Sequence, residues 1–386
     1  MKTLSILLVT FITIHVTSAQ SFNQFYADIV AQTSQTNVLN DLTAFEHFGI
    51  KTVGSKALAN TENWVTSRYK VLGYSDVELQ PFTYSSGTSN NIIVTKRGTL
   101  YPNTFLIIDA HYDTINGPGT NDNGTGTVLL LELARLLQEV DTEYSIKFIH
   151  FSGEEDGLIG SKYYLKNTVI PENLDIKLVL NIDEIGGVNG MTNDTVVCER
   201  DLRNPKSNNK ASNDTTNKLA TLIGLYSSLK TKISNAFASD YIPFEKNGEI
   251  ITGLYESNVS PVNHTINDNI ANMDVTYAYE VIKGSVGAAL EFGVAFETLS
   301  AEEQKNFNEL INIIATSTTN EIIIEFKTPI QESINFKIID TSGKLFYQDI
   351  FSEQNNKIVL DDIAPTEYIA VFTMGNKRFM KTIVIN

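Results

Sequence analysis

Through the middle of the chain, short and mostly apolar runs alternate with stretches that are apolar every third or fourth residue. Residues 104–109 (TFLIID), 145–151 (SIKFIHF) and 176–182 (IKLVLNI) have the length and side chains of strands buried on both faces of a sheet, and residues 249–255 supply a fourth. Residues 77–84 and 91–96 add two strands nearer the start. Between them lie helical patterns. Residues 57–72 put Trp64, Val65, Tyr69 and Leu72 on neighbouring turns, residues 127–138 (TVLLLELARLLQ) carry the strongest pattern, and residues 275–296 read as a long closing helix. Strands alternating with helices predict a layered α/β domain with a mostly parallel sheet. Near residue 300 the pattern changes. Residues 301–320 are polar, as a helix or linker is. From residue 321 to 386 the chain reads as short strands (322–326, 334–340, 350–360, 368–372 and 381–385) with turns at Ser342-Gly343 and Gly375-Asn376, which predicts a small β-sandwich.

Composition narrows what such a chain can do. Its 386 residues carry 45 acidic and 29 basic side chains, a net charge of −16, so nucleic-acid binding is disfavoured. A single cysteine, Cys198, permits no intramolecular disulfide and no cysteine-based zinc site. Any metal must be held by His, Asp and Glu. At the start, Met1-Lys2 is positive, residues 4–16 are largely apolar, and residues 17–20 offer small side chains suited to cleavage after Ala19. That is the layout of a secretory signal peptide over residues 1–19. No later segment approaches a transmembrane span, so an exported, soluble protein is expected. The main domain is then residues 21–300.

Candidate chemistry sits at the predicted strand ends. His111 and Asp113 follow the 104–109 run. Asp122 lies in a Gly- and Asn-rich loop before the strongest helix, Glu154 and Glu155 follow the second strand, Asp183 ends the third, and His264 comes after the fourth. In open α/β sheets the ligand crevice lies beyond the carboxyl ends of the strands. Each residue has a plainer reading. Asp122 and Asp183 could be helix caps or turn formers, and Glu154–Glu155 a solvated acidic pair. Taken together, several carboxylates and two imidazoles on one edge suit a pair of divalent ions sharing a bridging carboxylate. His47 and His150 fall inside a helical and a strand pattern and are read as structural, and Cys198 as an inert thiol.

The ordered set His111-Tyr-Asp113, Gly119-x-x-Asp122-Asn-x-x-Gly126, Gly153-Glu-Glu155, Asn181-x-Asp183 and His264-Thr-x-x-Asp268 resembles the co-catalytic zinc aminopeptidases, to which glutaminyl cyclases are related. The likeness covers roughly residues 40–295. It implies a three-layer α/β/α domain with a mixed sheet and two zinc ions per chain. His111 and Asp183 would hold one, Glu155 and His264 the other, with Asp122 bridging. Glu154 would be the general base, Asp113 would orient His111, and the reaction would be release of the first residue of a peptide. Where family members often have His, this chain has Tyr241, which is taken as the donor to the oxyanion. Asn263 precedes His264 where cyclases place Trp. A cyclase, a carboxypeptidase of the same fold and a binding protein on an inactive scaffold are the alternatives.

The C-terminal segments 338–344, 363–368 and 381–386 resemble the sorting domain of type IX secretion, with Ala364-Pro-Thr-Glu-Tyr368 where a Gly-x-Tyr is more usual; an accessory β-sandwich that binds substrate or stabilises the enzyme is the plainer reading. That resemblance implies export across the outer membrane of a Bacteroidetes-type bacterium, with the type IX machinery as partner and the cell surface or medium as destination.

Overall fold

The computed structural model describes residues 22–316, 321–359, 364 and 366–385. The expected signal peptide, residues 317–320 of the expected linker, and Ile363, Pro365 and Asn386 of the C-terminal motifs lie outside the described residues. The strands up to residue 298 are β1 (Val77–Tyr84), β2 (Gly87–Lys96), β3 (Tyr101–His111), β4 (Asp141–Thr142), β5 (Tyr144–Phe151), β6 (Asp175–Ile182), β7 (Thr195–Arg200), β8 (Lys230–Asn235), β9 (Ile251–Glu256) and β10 (Ala295–Thr298). All but β4 and β10 join one sheet in the order β1-β2-β5-β3-β6-β9-β7-β8. Its centre, β5-β3-β6-β9, is parallel, while β1, β2 and the β9–β7 pair run antiparallel, so the sheet is mixed and mostly parallel.

The wholly apolar reading of β3 has a physical basis in two helical layers. Leu106, Ile108 and Ala110 enter the larger core with the helices Gln35–His47, Lys56–Val71, Thr125–Leu137, Asn209–Tyr226 and Val275–Gly293. Ile107, between them, enters a second core with Ile149, Val179, Tyr164 and Phe244 on the opposite face. With a layer on each face, Leu106, Ile107 and Ile108 are apolar in succession and show no alternation to mark the pleat. The closing helix ends sooner than its pattern predicts, at Gly293. Val294 caps it in a left-handed conformation (φ 53°), and residues 295–298 form β10.

Residues 301–310 form a helix opened by a Ser300–Glu303 capping box, and its Phe307 ring packs 4.5 Å from Phe379. The strands beyond are β11 (Ile311–Thr316), β12 (Glu321–Phe326), β13 (Ile334–Asp340), β14 (Leu345–Phe351), β15 (Asn355–Val359), β16 (Glu367–Met374) and β17 (Lys377–Val384). They make two sheets, β11-β12-β15 and β14-β13-β16-β17-β10-β4, closing over a core that includes Ile324, Phe336, Ile338 and Phe372. The single strand expected over residues 350–360 is two, because the chain changes sheets at the polar residues 352–354.

The second of these sheets is shared. β10 pairs parallel with β17 and antiparallel with β4. Leu100 of the main domain buries against Ile339 and Val371. Glu143 and Arg378, 3% and 7% exposed, form an ion pair at 2.6 Å, and Lys337 stands 3.4 Å from the same oxygen. Removing one member of a buried pair strands the other. Arg378→Ala is therefore expected to cost about 3 kcal/mol in urea unfolding. Deleting residues 321–386 should lower the melting temperature of what remains while leaving its metal affinity unchanged.

Candidate metal centre

The four parallel strands end on one edge, and each delivers its side chain there. β3 ends at His111, Glu154 and Glu155 follow β5, Asp183 follows β6, and His264 lies in the loop after β9. Asp122 comes from the loop that enters the helix Thr125–Leu137. This helix start presses on the strand ends so closely that a Cβ on Gly126 would stand 2.8 Å from both the Ala110 Cβ and the Ile182 carbonyl oxygen. Glycine is required there. Asp268 holds the loop in place: its two carboxylate oxygens accept the backbone N–H groups of Asn121 (2.8 Å) and Asp122 (3.1 Å).

Together these residues line a cavity of about 240 Å³ with Glu184, Glu199, Phe237, Ala238, Ser239, Tyr241 and Tyr255. Asp122 lies between the two imidazoles. One of its oxygens is 3.2 Å from His111 Nε2, and the other is 2.9 Å from His264 Nε2. Asp183 Oδ1 is 3.4 Å from His111 Nε2, and Glu155 Oε2 is 3.0 Å from His264 Nε2. The candidate ligands are thus sorted into His111–Asp122–Asp183 and His264–Asp122–Glu155. Around a tetrahedral zinc with bonds of about 2.0–2.1 Å, ligand atoms stand roughly 3.3–3.4 Å apart, close to these separations. Asp183 Oδ1 and Glu155 Oε1 are buried without a hydrogen-bond donor, as atoms reserved for a cation would be.

Electrostatics agree. Burial, then the neighbouring carboxylates Asp240, Asp183 and Asp113, raises Glu154 well above the usual carboxylate range. Burial and Asp122 push Glu155 up to about 8, and burial with Asp122 and Asp183 pushes Glu184 up to about 10. Asp122 goes the other way: burial opposes its ionisation, but hydrogen bonds from His111 and His264 hold it below the usual range. The hydrogen bond to Asp122 in turn lifts His264 to about 9. Carboxyls crowded in this way keep protons unless cations replace them. The donor set, all oxygen and imidazole, fits zinc.

The remaining predicted residues fall as follows. Asp113 meets His111 through its backbone oxygen, 3.1 Å from Nδ1, while its carboxylate accepts the N–H groups of Glu154 (3.2 Å) and Glu155 (3.3 Å). It therefore fixes the acidic pair as well as the ring. Tyr241 lines the cavity, yet its hydroxyl donates to Glu199 (2.7 Å) and accepts from the Phe237 N–H (2.8 Å), which directs its proton at a carboxylate. His47 is an exposed helix end. His150 is buried in β5 against the Tyr69 hydroxyl (2.9 Å) and held neutral by burial, its pKa lowered to about 3. Cys198 is buried in β7. Sequence reasoning missed Ser239, which donates to Asp183 (2.7 Å), and Glu184, whose carboxylate lies within 4.8 Å of those of Asp122 and Asp183. Glu184 directly follows Asp183, so adjacency at a strand end was the signal available.

The pattern of the family described as Peptidase family M28 matches residues 91–289. Among curated proteins, an aminopeptidase of Pseudomonas aeruginosa (strain UCBPP-PA14) is 40% identical over 103 residues, covering 26% of this chain and 19% of that protein. The chain thus spans about a fifth of that relative's length. Among solved structures, BSAP, a zinc aminopeptidase from Bacillus subtilis, superposes with a TM-score of 0.58 at 17% identity, over 68% of this chain and 96% of that one. Macrostomum lignano glutaminyl cyclase gives 0.61 at 16% identity, over 71% and 95%. These structural likenesses share the fold. A prediction follows from the tie at Asp268. Asp268→Asn removes the charge that holds the Asp122 loop, and zinc affinity should fall on the order of 10- to 100-fold in a competitive chelator titration.

Proposed function

The chain belongs to peptidase family M28, and from that membership we propose that it is a two-zinc aminopeptidase that releases the first residue of peptides. The observation that carries the reading is the placement of Asp122 between His111 and His264, each imidazole paired with a second carboxylate. His111 and Asp183 would hold one zinc and Glu155 and His264 the other, with Asp122 placed to serve both. Bound there, the metal supplies Lewis acidity toward a peptide carbonyl and lowers the pKa of a water.

The chain's own groups do the rest. Glu154 lines the cavity but belongs to neither ligand set, so its carboxylate is free to take the proton of the attacking water and return it to the leaving amine. Its backbone N–H is held by the Asp113 carboxylate, which fixes where the side chain starts. Against the cyclase alternative, Asn263 stands before His264 where cyclases place a tryptophan. The chain's one tryptophan, Trp64, packs beside Phe48 and does not line the cavity.

Two further parts of the reading concern location. Export is supported by the charged, apolar and small-residue pattern of residues 1–20, and type IX sorting to the surface or medium by the C-terminal motifs. No helix among the described residues is long and apolar enough to cross a membrane.

Leucine 4-nitroanilide, a glutaminyl peptide and an N-acetylated peptide separate the activities. Hydrolysis of the first is expected, with no cyclisation of the second and no cleavage of the third. Cyclisation of the second, or cleavage of the third, would favour a cyclase or a carboxypeptidase. Glu154→Gln should keep its zinc and lose about 10²- to 10⁴-fold in kcat, because an amide accepts no proton. Turnover at the wild-type level would remove Glu154 from the mechanism.

A further inference from the structure

An aminopeptidase has to recognise a free α-ammonium group, and none of the roles assigned so far does so. Resting on the aminopeptidase reading, we propose that Glu184 is the carboxylate that binds the α-ammonium of the substrate. Two carboxylates line the cavity outside the ligand sets and Glu154, namely Glu184 and Glu199. Of the two, Glu184 lies within 4.8 Å of the Asp122 and Asp183 carboxylates. The α-nitrogen is one carbon removed from the scissile carbonyl, so its anchor must stand this close to the metal ligands. The charged end of a lysine or arginine side chain would lie several bonds further out.

The carboxylate is built in rather than loose. Tyr255 donates its hydroxyl to Glu184 Oε2 (3.1 Å), and the Asn263 amide nitrogen is bonded to the same oxygen. Both tethers fall on Oε2, which leaves Oε1 for a ligand. An ammonium carries three donors and no acceptor, which suits a carboxylate oxygen. Among the described residues no Lys or Arg lines the cavity to compete for the site. Glu184 also sits at φ 47°, a left-handed conformation unusual for a non-glycine residue and typical of groups held at functional sites.

The test uses the zinc-loaded full chain and two hydroxamates, that of leucine and that of 4-methylpentanoic acid, which differ only in the α-amine. Wild-type protein should bind the amine-bearing compound on the order of 10- to 100-fold tighter, the usual worth of a hydrogen bond to a charged group. In Glu184→Gln that advantage should collapse, with zinc content and affinity for the amine-free compound unchanged. Tyr255→Phe removes one tether and leaves the carboxylate, and should reduce the same ratio by less. An undiminished ratio in Glu184→Gln, loss of zinc, or equal weakening of both compounds would overturn the proposal. If the wild-type chain hydrolyses leucine 4-nitroanilide and the ratio persists in the variant, the anchor alone is wrong. A zinc-loaded chain that hydrolyses no aminoacyl anilide fails the peptidase reading and the anchor with it.

Discussion

Repulsion among buried carboxylates governs the site. Asp122, Glu154, Glu155, Asp183, Glu184 and Glu199 line one cavity, with two imidazoles and no Lys or Arg among the described lining residues. Left alone, such a group favours holding protons, in line with the upward shifts of Glu155 and Glu184. Divalent cations would relieve that cost. The positions of the carboxylates, in two sets joined by Asp122, are what a pair of such ions requires.

Holding these groups against their repulsion falls to the scaffold. The parallel strands β5-β3-β6-β9 are buried on both faces, which fixes where their ends lie. Backbone ties then complete the work. Asp268 holds the Asp122 loop, Asp113 the Glu154–Glu155 turn, and Ser239 the Asp183 carboxylate. The cost of these ties is further buried acid, and each tie directs an N–H or O–H at a carboxylate.

Much of this was legible in the sequence because strand ends are legible. Short apolar runs located the strands, and the polar residues after each run had to meet on one edge. His111, Asp122, Glu155, Asp183 and His264 converge for that reason. What the sequence hid depends on contacts between distant segments. The Asp113 carboxylate meets backbone 41 residues away, and the Tyr241 hydroxyl meets Glu199, 42 residues away. Glu184 reads as an ordinary polar neighbour until the cavity shows it beside Asp122. The pairing of β10 with β17 was equally invisible: residues 295–296 close the helical pattern read over 275–296, and only the partner strand about 80 residues later makes 295–298 a strand.

The central claim is that the acidic cluster is a two-cation site, and anomalous diffraction from crystals grown with zinc tests it most directly. The account predicts two peaks in the cavity, one against His111 and Asp183, the other against Glu155 and His264, with Asp122 between them and Glu184 bound to neither. A single peak, or two peaks with Glu184 as a ligand and Asp122 free, would contradict it.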